Sequence, residues 1–214
     1  MKSVLLIGLG KFGQTLGDAL LKMDIEVLAV DKNEDLVNTL APRFTDAIIT
    51  NCMNEDNLKA LDVPSFDACV VAIGDDFQSS LEVTSRLKDL GAKWVVSKAT
   101  TEIQRKFLLR NGADEVVYPD IDIAEKLAVK LTSKKVLDYI ELNDEYAIFE
   151  IVIPKSWIGK NLTEIRPREK YGINVLTVKK GDSILPDVSP TYRFENGDNV
   201  HVFGKSKNIL KYTK

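Results

Sequence analysis

The chain is 214 residues long, room for one large domain or two modest ones, and its 44% hydrophobic and 29% charged content suits a chain that closes a core. A formal net charge of -3 gives no pull toward phosphate backbones, which argues against broad nucleic-acid binding. The two cysteines, Cys52 and Cys69, sit in no metal-ligand spacing, so reduced thiols and a cytoplasmic setting are expected; no apolar run approaches the ~20 residues of a membrane helix, so a membrane role would pass through a partner.

Short apolar runs alternate with amphipathic segments from the start of the chain. Strands are expected at Ser3–Ile7, Glu26–Val30, Ala47–Thr50, Ala68–Ile73, Trp94–Lys98 and Glu115–Tyr118. Their near-continuous Val, Ile and Ala content is the pattern of a sheet covered on both faces. Leu81, Val83, Leu87 and Leu90 mark a helix closed by Gly91, and Thr101 with Gln104 reads as a capping box for the next, which stops at Asn111-Gly112. Six β-α units with short connections predict an α/β fold with a doubly wound parallel sheet over residues 1–118.

Pro119 opens a longer helix expected to run to about Lys135, with Ile123, Leu127 and Leu131 on one stripe. That stripe suits either a subunit contact or packing within its own domain. Beyond this 119–136 connection the pattern changes. Strands are expected at Val136–Leu142, Tyr146–Ile153, Ile173–Lys179 and Val200–Phe203, with one short helical segment near Leu162–Ile165 and a final turn at Ile209–Tyr212. Residues 137–214 therefore read as a separate, small α+β domain.

The first strand runs into Gly8-Leu9-Gly10-Lys11-Phe12-Gly13. A strand before and a helix after this G-x-G-x-x-G is the context in which its glycines bind a pyrophosphate. Gly8 permits the turn, Gly10 lets the backbone approach the phosphate, and Gly13 allows close helix packing. Asp31 ends the second strand, at the interval of about 20 residues expected of a ribose-binding acid, and its charge disfavours the 2′-phosphate of NADP. Glycines in an unliganded turn, with Asp31 as a helix cap, are the plainer alternative. Lys11 in the loop, and Lys98 and Asp120 at the strand ends, suit a phosphate chain with a bridging Mg2+ or Ca2+ as well as they suit solvated surface charge. NAD and ATP stay open on these residues.

A catalytic centre is not expected. His201, the single histidine, falls in a strand of the second domain, and no Tyr-x-x-x-Lys pair, serine elbow or HExxH motif occurs. Ser79-Ser80 reads as the polar first turn of a helix. The rival readings are an NAD-dependent oxidoreductase with its site between subunits and a soluble NAD or redox sensor.

Ile7-Gly8-Leu9-Gly10-Lys11-Phe12-Gly13, Leu28-Ala29-Val30-Asp31-Lys32-Asn33, Val70-Val71-Ala72-Ile73-Gly74, Lys98-Ala99 and Gly112-Ala113-Asp114 together resemble the RCK (regulator of K+ conductance) domain of Ktr/TrkA-type gating subunits. Asn161-Leu162, Arg168 to Asn174, Ser189-Pro190 and Gly197-Asp198 resemble the companion C-terminal domain. The resemblance implies a Rossmann-like N domain whose pairs assemble into an octameric ring beneath a KtrB/TrkH-like membrane potassium channel or transporter subunit, at the inner face of the membrane. It implies ATP or ADP (NAD or NADH in some members) against Asp31, Lys32, Asn33, Asn51, Cys52 and Met53, with Ala72, Ile73 and Gly74 behind and Gly10, Lys11 and Lys98 at the phosphates. It further implies a cation at Asp120 and cyclic di-AMP at Arg168, Ile173, Asn174 and Pro190. Lysine at 11 where arginine is frequent, aspartate at 120 where glutamate is frequent, and one extra residue between Ile165 and Arg168 distinguish this chain from that pattern.

Overall fold

The computed structural model describes residues 2–74 and 76–213. The chain divides into two compact units, Met1–Ile121 and Asp122–Lys214. The division falls inside one helix, Pro119–Leu131.

In the first unit β1 (Ser3–Ile7), α1 (Lys11–Leu21), β2 (Glu26–Asp31), α2 (Glu34–Leu40), β3 (Asp46–Ile49), α3 (Glu55–Lys59), β4 (Ala68–Val71), α4 (Phe77–Asp89), β5 (Val95–Lys98), α5 (Glu102–Arg110) and β6 (Glu115–Val117) alternate, and only the first turn of α6 (Pro119–Leu131) belongs to it. The six strands form one parallel sheet in the order β3-β2-β1-β4-β5-β6. Chain direction across the sheet reverses between β1 and β4, so the loops after these two strands diverge and leave a crevice at their carboxyl ends.

Burial explains the unbroken apolar runs. Leu5 and Ile7 of β1 join Val30, Cys52, Cys69, Val71, Val83 and Leu87 on one face of the sheet. Val4 and Leu6 join Val27, Ala29, Val37, Leu40 and Phe44 on the other. A strand buried on both sides has no use for a polar alternate residue.

Capping separates α1 from the helices that follow. Asn33 caps α2, Asn54 caps α3, Asp76 caps α4 and Thr101 caps α5, each by a side-chain oxygen that accepts a first-turn N–H. Helix α1 begins after Gly10 and has no side-chain cap and no acid in its first turn. The capping box expected at Thr101 and Gln104 is only half formed. Gln104 Oε1 instead takes the N–H and hydroxyl of Thr100, at 2.9 and 2.7 Å, one residue before the cap. Several strands also end a residue or two short of their apolar runs: β4 stops at Val71, leaving Ala72 and Ile73 to turn into the crevice.

The second unit holds β7 (Val136–Glu141), β8 (Tyr146–Val152), α7 (Leu162–Ile165), α8 (Pro167–Tyr171), β9 (Ile173–Lys180), β10 (Ser183–Leu185), β11 (Asn199–Lys205) and α9 (Ser206–Thr213). Its five strands pair antiparallel in the order β10-β9-β11-β8-β7. Here alternation returns: Ala147, Phe149 and Ile151 of β8 and Val200 and Val202 of β11 pack beneath Trp157, Ile165 and Ile209.

Three expectations change. Helix α6 stops at Leu131, not near Lys135, because Thr132 bonds back to the Val129 carbonyl and the Ser133 hydroxyl takes the Lys135 N–H. The single short helical segment is two: the αL conformation of Arg166 breaks it, and α8 follows with proline at its first position and too few apolar residues to show a period. The final turn is a full helix, α9.

Asp198, fully buried, ties the turn before β11. Its Oδ2 accepts the Tyr192 hydroxyl and the Glu195 N–H, both at 2.8 Å, while its Oδ1 has no partner among the described residues. Burial, then the hydrogen bond to Asp198 and that carboxylate's charge, push the Tyr192 hydroxyl up to about 12, so it stays a donor at any ordinary pH. Tyr192→Phe therefore strips a donor from a buried carboxylate and is expected to cost roughly 1–3 kcal/mol in urea denaturation; a variant as stable as the parent would show that this bond carries nothing.

Candidate ligand-binding crevice

The strand ends of the first unit enclose a cavity of about 400 Å³ at the point where β1 and β4 part. The end of β1 and the glycine loop supply Gly8 and Gly10. The end of β2 supplies Asp31, Lys32 and Asn33, the loop after β3 supplies Asn51, Cys52 and Met53, and the loop after β4 supplies Ala72, Ile73 and Gly74. These eleven sequence-derived residues line one cavity although they come from four separate segments.

The three motif glycines differ in what requires them. Gly8 has φ +100°, and a Cβ there would lie 3.0 Å from the Ala72 backbone. A Cβ on Gly13 would lie 2.0 Å from the Gly8 carbonyl oxygen, so the helix touches the loop backbone directly. A Cβ on Gly10 would meet nothing within 4 Å, and its φ of −62° suits any residue. The protein itself therefore demands glycine at 8 and 13 but not at 10, where the open space belongs to the crevice.

Above that space the first turn of α1 leaves its N–H groups without intrahelical partners, and no side chain caps them. They form a patch of partial positive charge, a ready anion site. Lys98, at the end of β5, lies outside the cavity lining but beside it: its Nζ sits 5.8 Å from the centre of the Phe12 ring and 3.1 Å from where a Gly74 Cβ would stand. Lys11 is exposed at the start of the helix. Among the described residues neither lysine has a carboxylate partner.

Asp31 does more than the sequence suggests. Its Oδ2 accepts the Leu9 N–H at 2.7 Å and its Oδ1 the Asn33 N–H at 2.9 Å. The carboxylate thus anchors the glycine loop while keeping further lone pairs for a ligand. Cys52 stands behind it as a neutral thiol, because burial and then the Asp31 charge push it up to about 12.

Sequence reasoning missed Asp76 and Ser79, which line the crevice from the head of α4. The signal was present, since an Asp three residues before a Ser at a helix start is an N-cap pattern. Asp76 takes the Ser79 N–H and hydroxyl at 3.0 and 2.6 Å; these bonds, and more weakly the Lys32 charge, hold its carboxyl below the usual range. Leu36 and Val83 add apolar wall beside Ile7 and Val30, and Thr50 adds a hydroxyl.

The family model for the TrkA-N domain matches residues 4–119 and that for the TrkA-C domain matches residues 147–214. Ktr system potassium uptake protein C of Bacillus subtilis (strain 168) is 36% identical over 213 residues, which cover 100% of this chain and 96% of that protein. This chain belongs to the TrkA/RCK family. Among solved structures, the GsuK channel bound to NAD matches with a TM-score of 0.70 at 15% identity, over 99% of this chain and 39% of that one. GsuK bound to ADP matches with a TM-score of 0.51 at 13% identity, over 64% of this chain and 35% of that one. At such identity the likeness is one of fold, and this chain spans less than half of either channel chain.

In this TrkA/RCK chain a second cleft, of about 350 Å³, lies in the C-terminal unit between Leu162, Arg166, Arg168, Val175 and Pro190. Arg168 and Pro190 line it as expected. Ile173 does not: it is 2% exposed within the core of that unit, packed against Gly204, and has no face to offer a base. Asn174, beside it on β9, is also outside the lining. Asp120 is exposed at the start of α6 and outside the first crevice, and no cluster of three metal-ligating side chains occurs among the described residues. His201 is a strand residue whose Nδ1 lies 2.7 Å from the Thr177 hydroxyl on the face of the sheet away from the core.

Two measurements check this geometry. Gly13→Ala is expected to lower the thermal midpoint by several degrees, as overpacking of about 1–3 kcal/mol does, while Gly10→Ala leaves it unchanged; equal effects at both positions would contradict the contact pattern. Because burial keeps both thiols protonated, with Cys69 likewise pushed up to about 12, the folded protein should resist iodoacetamide at pH 8 and take two labels once denatured. Rapid labelling of the folded chain would show that the crevice floor is open.

Proposed function

We propose that this protein is the nucleotide-sensing regulatory subunit of a Ktr-type potassium-uptake system, acting at the cytoplasmic face of the membrane on a KtrB/TrkH-like channel or transporter subunit. One observation carries the reading: an uncapped helix start and an unobstructed Gly10 face a crevice lined by a strand-end acid, in a chain 36% identical along its length to a Ktr system protein. No helix among the described residues is long and apolar enough to cross a membrane, which suits a subunit that works through a membrane partner.

The ligand is an adenosine phosphate. Asp31 accepts the ribose hydroxyls, the base enters between Met53 and Val83, and the phosphates meet the first turn of α1 with Lys98 beside them. NAD shares the adenosine half and is the second reading, favoured by the likeness of fold to GsuK bound to NAD. Bound nucleotide regulates by filling one conformation of an assembled ring better than another, since a ligand moves an equilibrium only through unequal affinity. Lys11, exposed and without an ion-pair partner among the described residues, reaches the terminal phosphate of ATP on a neighbouring copy; one such charge-assisted bond is worth ~1.5–3 kcal/mol per site, and an octamer multiplies it. The exposed stripe Ile123, Leu127 and Leu131 supplies an apolar contact for that assembly. In the C-terminal unit, cyclic di-AMP enters the second cleft with a phosphate on Arg168 and a base against Pro190.

A thermal-shift panel of ATP, ADP, NAD, NADH and cyclic di-AMP, with and without magnesium or calcium, tests the reading. ATP and ADP at about a hundred times their dissociation constants should add ~2.7 kcal/mol to the native state. Gly10→Ala should abolish that gain while its own midpoint stays in place, and Asp31→Asn should weaken binding about tenfold or more. No shift with any adenine nucleotide at millimolar level would overturn the proposal.

A further inference from the structure

Lys98 ends β5, two strands away from β1, whose loop leads into α1. Neighbouring strands lie about 5 Å apart, so the ammonium has roughly 10 Å to cross, over the loop that follows β4. Gly74 is in that loop. A Cβ there would stand 3.1 Å from the Lys98 Nζ, 3.8 Å from its Cε and 3.9 Å from its Cδ, so the outer half of the lysine lies along the bare α-carbon. The Gly74 backbone is not in the left-handed region, and the turn itself therefore does not ask for glycine. At the end of this path the Nζ sits 5.8 Å from the centre of the Phe12 ring, a cation–π distance. Phe12 is the second residue of α1, half-buried and packed against the core that holds Val4 and Leu6, so its ring is a fixed platform.

We propose that Phe12 and Gly74 are positioning residues for Lys98, forming a slot that brings its ammonium to the first turn of α1 to meet the diphosphate of a bound nucleotide. The proposal rests on the nucleotide reading above. A helix start carries partial positive charge, so a cation beside it is unfavourable unless an anion shares the site. Among the described residues no carboxylate does: α1 has no acid in its first turn, and Lys98 has no ion-pair partner. The fold alone gives no reason to bring this lysine across β4. A phosphate does, because the free N–H groups of α1 and the ammonium then act on one anion through charge-assisted bonds. Glycine at 74 leaves the path open, and the ring of Phe12 holds the cation where the path ends.

The test is calorimetric titration with ADP, whose diphosphate NAD shares, of the parent protein, Lys98→Met, Gly74→Val, Phe12→Leu and the two double variants that include Lys98→Met. Lys98→Met and Gly74→Val should each weaken ADP about tenfold, and Phe12→Leu, which keeps apolar packing without the ring face, about threefold. In the Lys98→Met background neither second substitution should cost more than about twofold, because the group it positions is gone. Should Gly74→Val not fold, Gly74→Ala, whose Cβ asks Lys98 to give by tenths of an ångström, should show the same pattern with a smaller loss. A Gly74→Val loss that persists in full beside Lys98→Met would mean direct crowding of the nucleotide and overturns the slot. Affinity within about twofold of the parent in any of the three single variants also overturns it, and the nucleotide reading survives each of these results. A parent protein that binds no ADP overturns both.

Discussion

A single carboxylate holds the crevice in shape. Asp31 receives the Leu9 N–H at 2.7 Å and the Asn33 N–H at 2.9 Å, which joins the glycine loop to the tip of the neighbouring strand. Around it the loop is strung between two strands, with the Gly8 N–H on the Val30 carbonyl at 2.8 Å and the Ala72 N–H on the Ile7 carbonyl at 2.7 Å. The close approach of Gly13 to the Gly8 carbonyl then fixes where α1 begins. Loop position depends on this acid, and on the proposed reading ligand recognition would depend on it too. A charge-assisted bond of this kind is worth ~1.5–3 kcal/mol, enough that loss of the carboxylate perturbs the loop before any ligand arrives.

The parallel sheet was legible because two-sided burial leaves a plain mark. Val4 and Leu6 go to one face and Leu5 and Ile7 to the other, so all four must be apolar. The glycine loop was legible because backbone contact leaves no choice of residue at 8 and 13. Strand ends were less so. Ala72 and Ile73 continue the apolar run of β4 in sequence, yet they line the crevice, where apolar residues serve the cavity and not the sheet. Apolar character reports burial and is silent on whether the burying partner is a helix or an empty cleft.

The small unit shows a second limit. Its strands read correctly where they alternate, but α8 and β10 are too short to display a period, and β10 is exposed at every residue. Ile173 lies outside the second cleft for a related reason: motif likeness placed it near Arg168, which is true along the chain. Its side chain, first in β9, points into the core, and neighbours along a strand face opposite sides. Arg86, which fastens a residue of the crevice lining, was invisible for the opposite reason. Its Nη1 donates to the Met53 backbone carbonyl 33 residues away, and a carbonyl has no sequence signature.

The crevice also bears on how regulation would work. Its lining comes wholly from the first unit, and on the proposed reading ATP and ADP would meet the same groups with their common ribose and base. Discrimination between them must come from the extra phosphate, beyond the first turn of α1. Of the two lysines there without a carboxylate partner among the described residues, Lys98 lies over the Phe12 ring and Lys11 is the exposed one. A single chain gains the same from that lysine in every conformation, so within a monomer the contact adds affinity without bias. Bias appears only when a second copy is near enough in one arrangement and too far in another, which makes assembly a condition of the proposed switch and not an accessory to it.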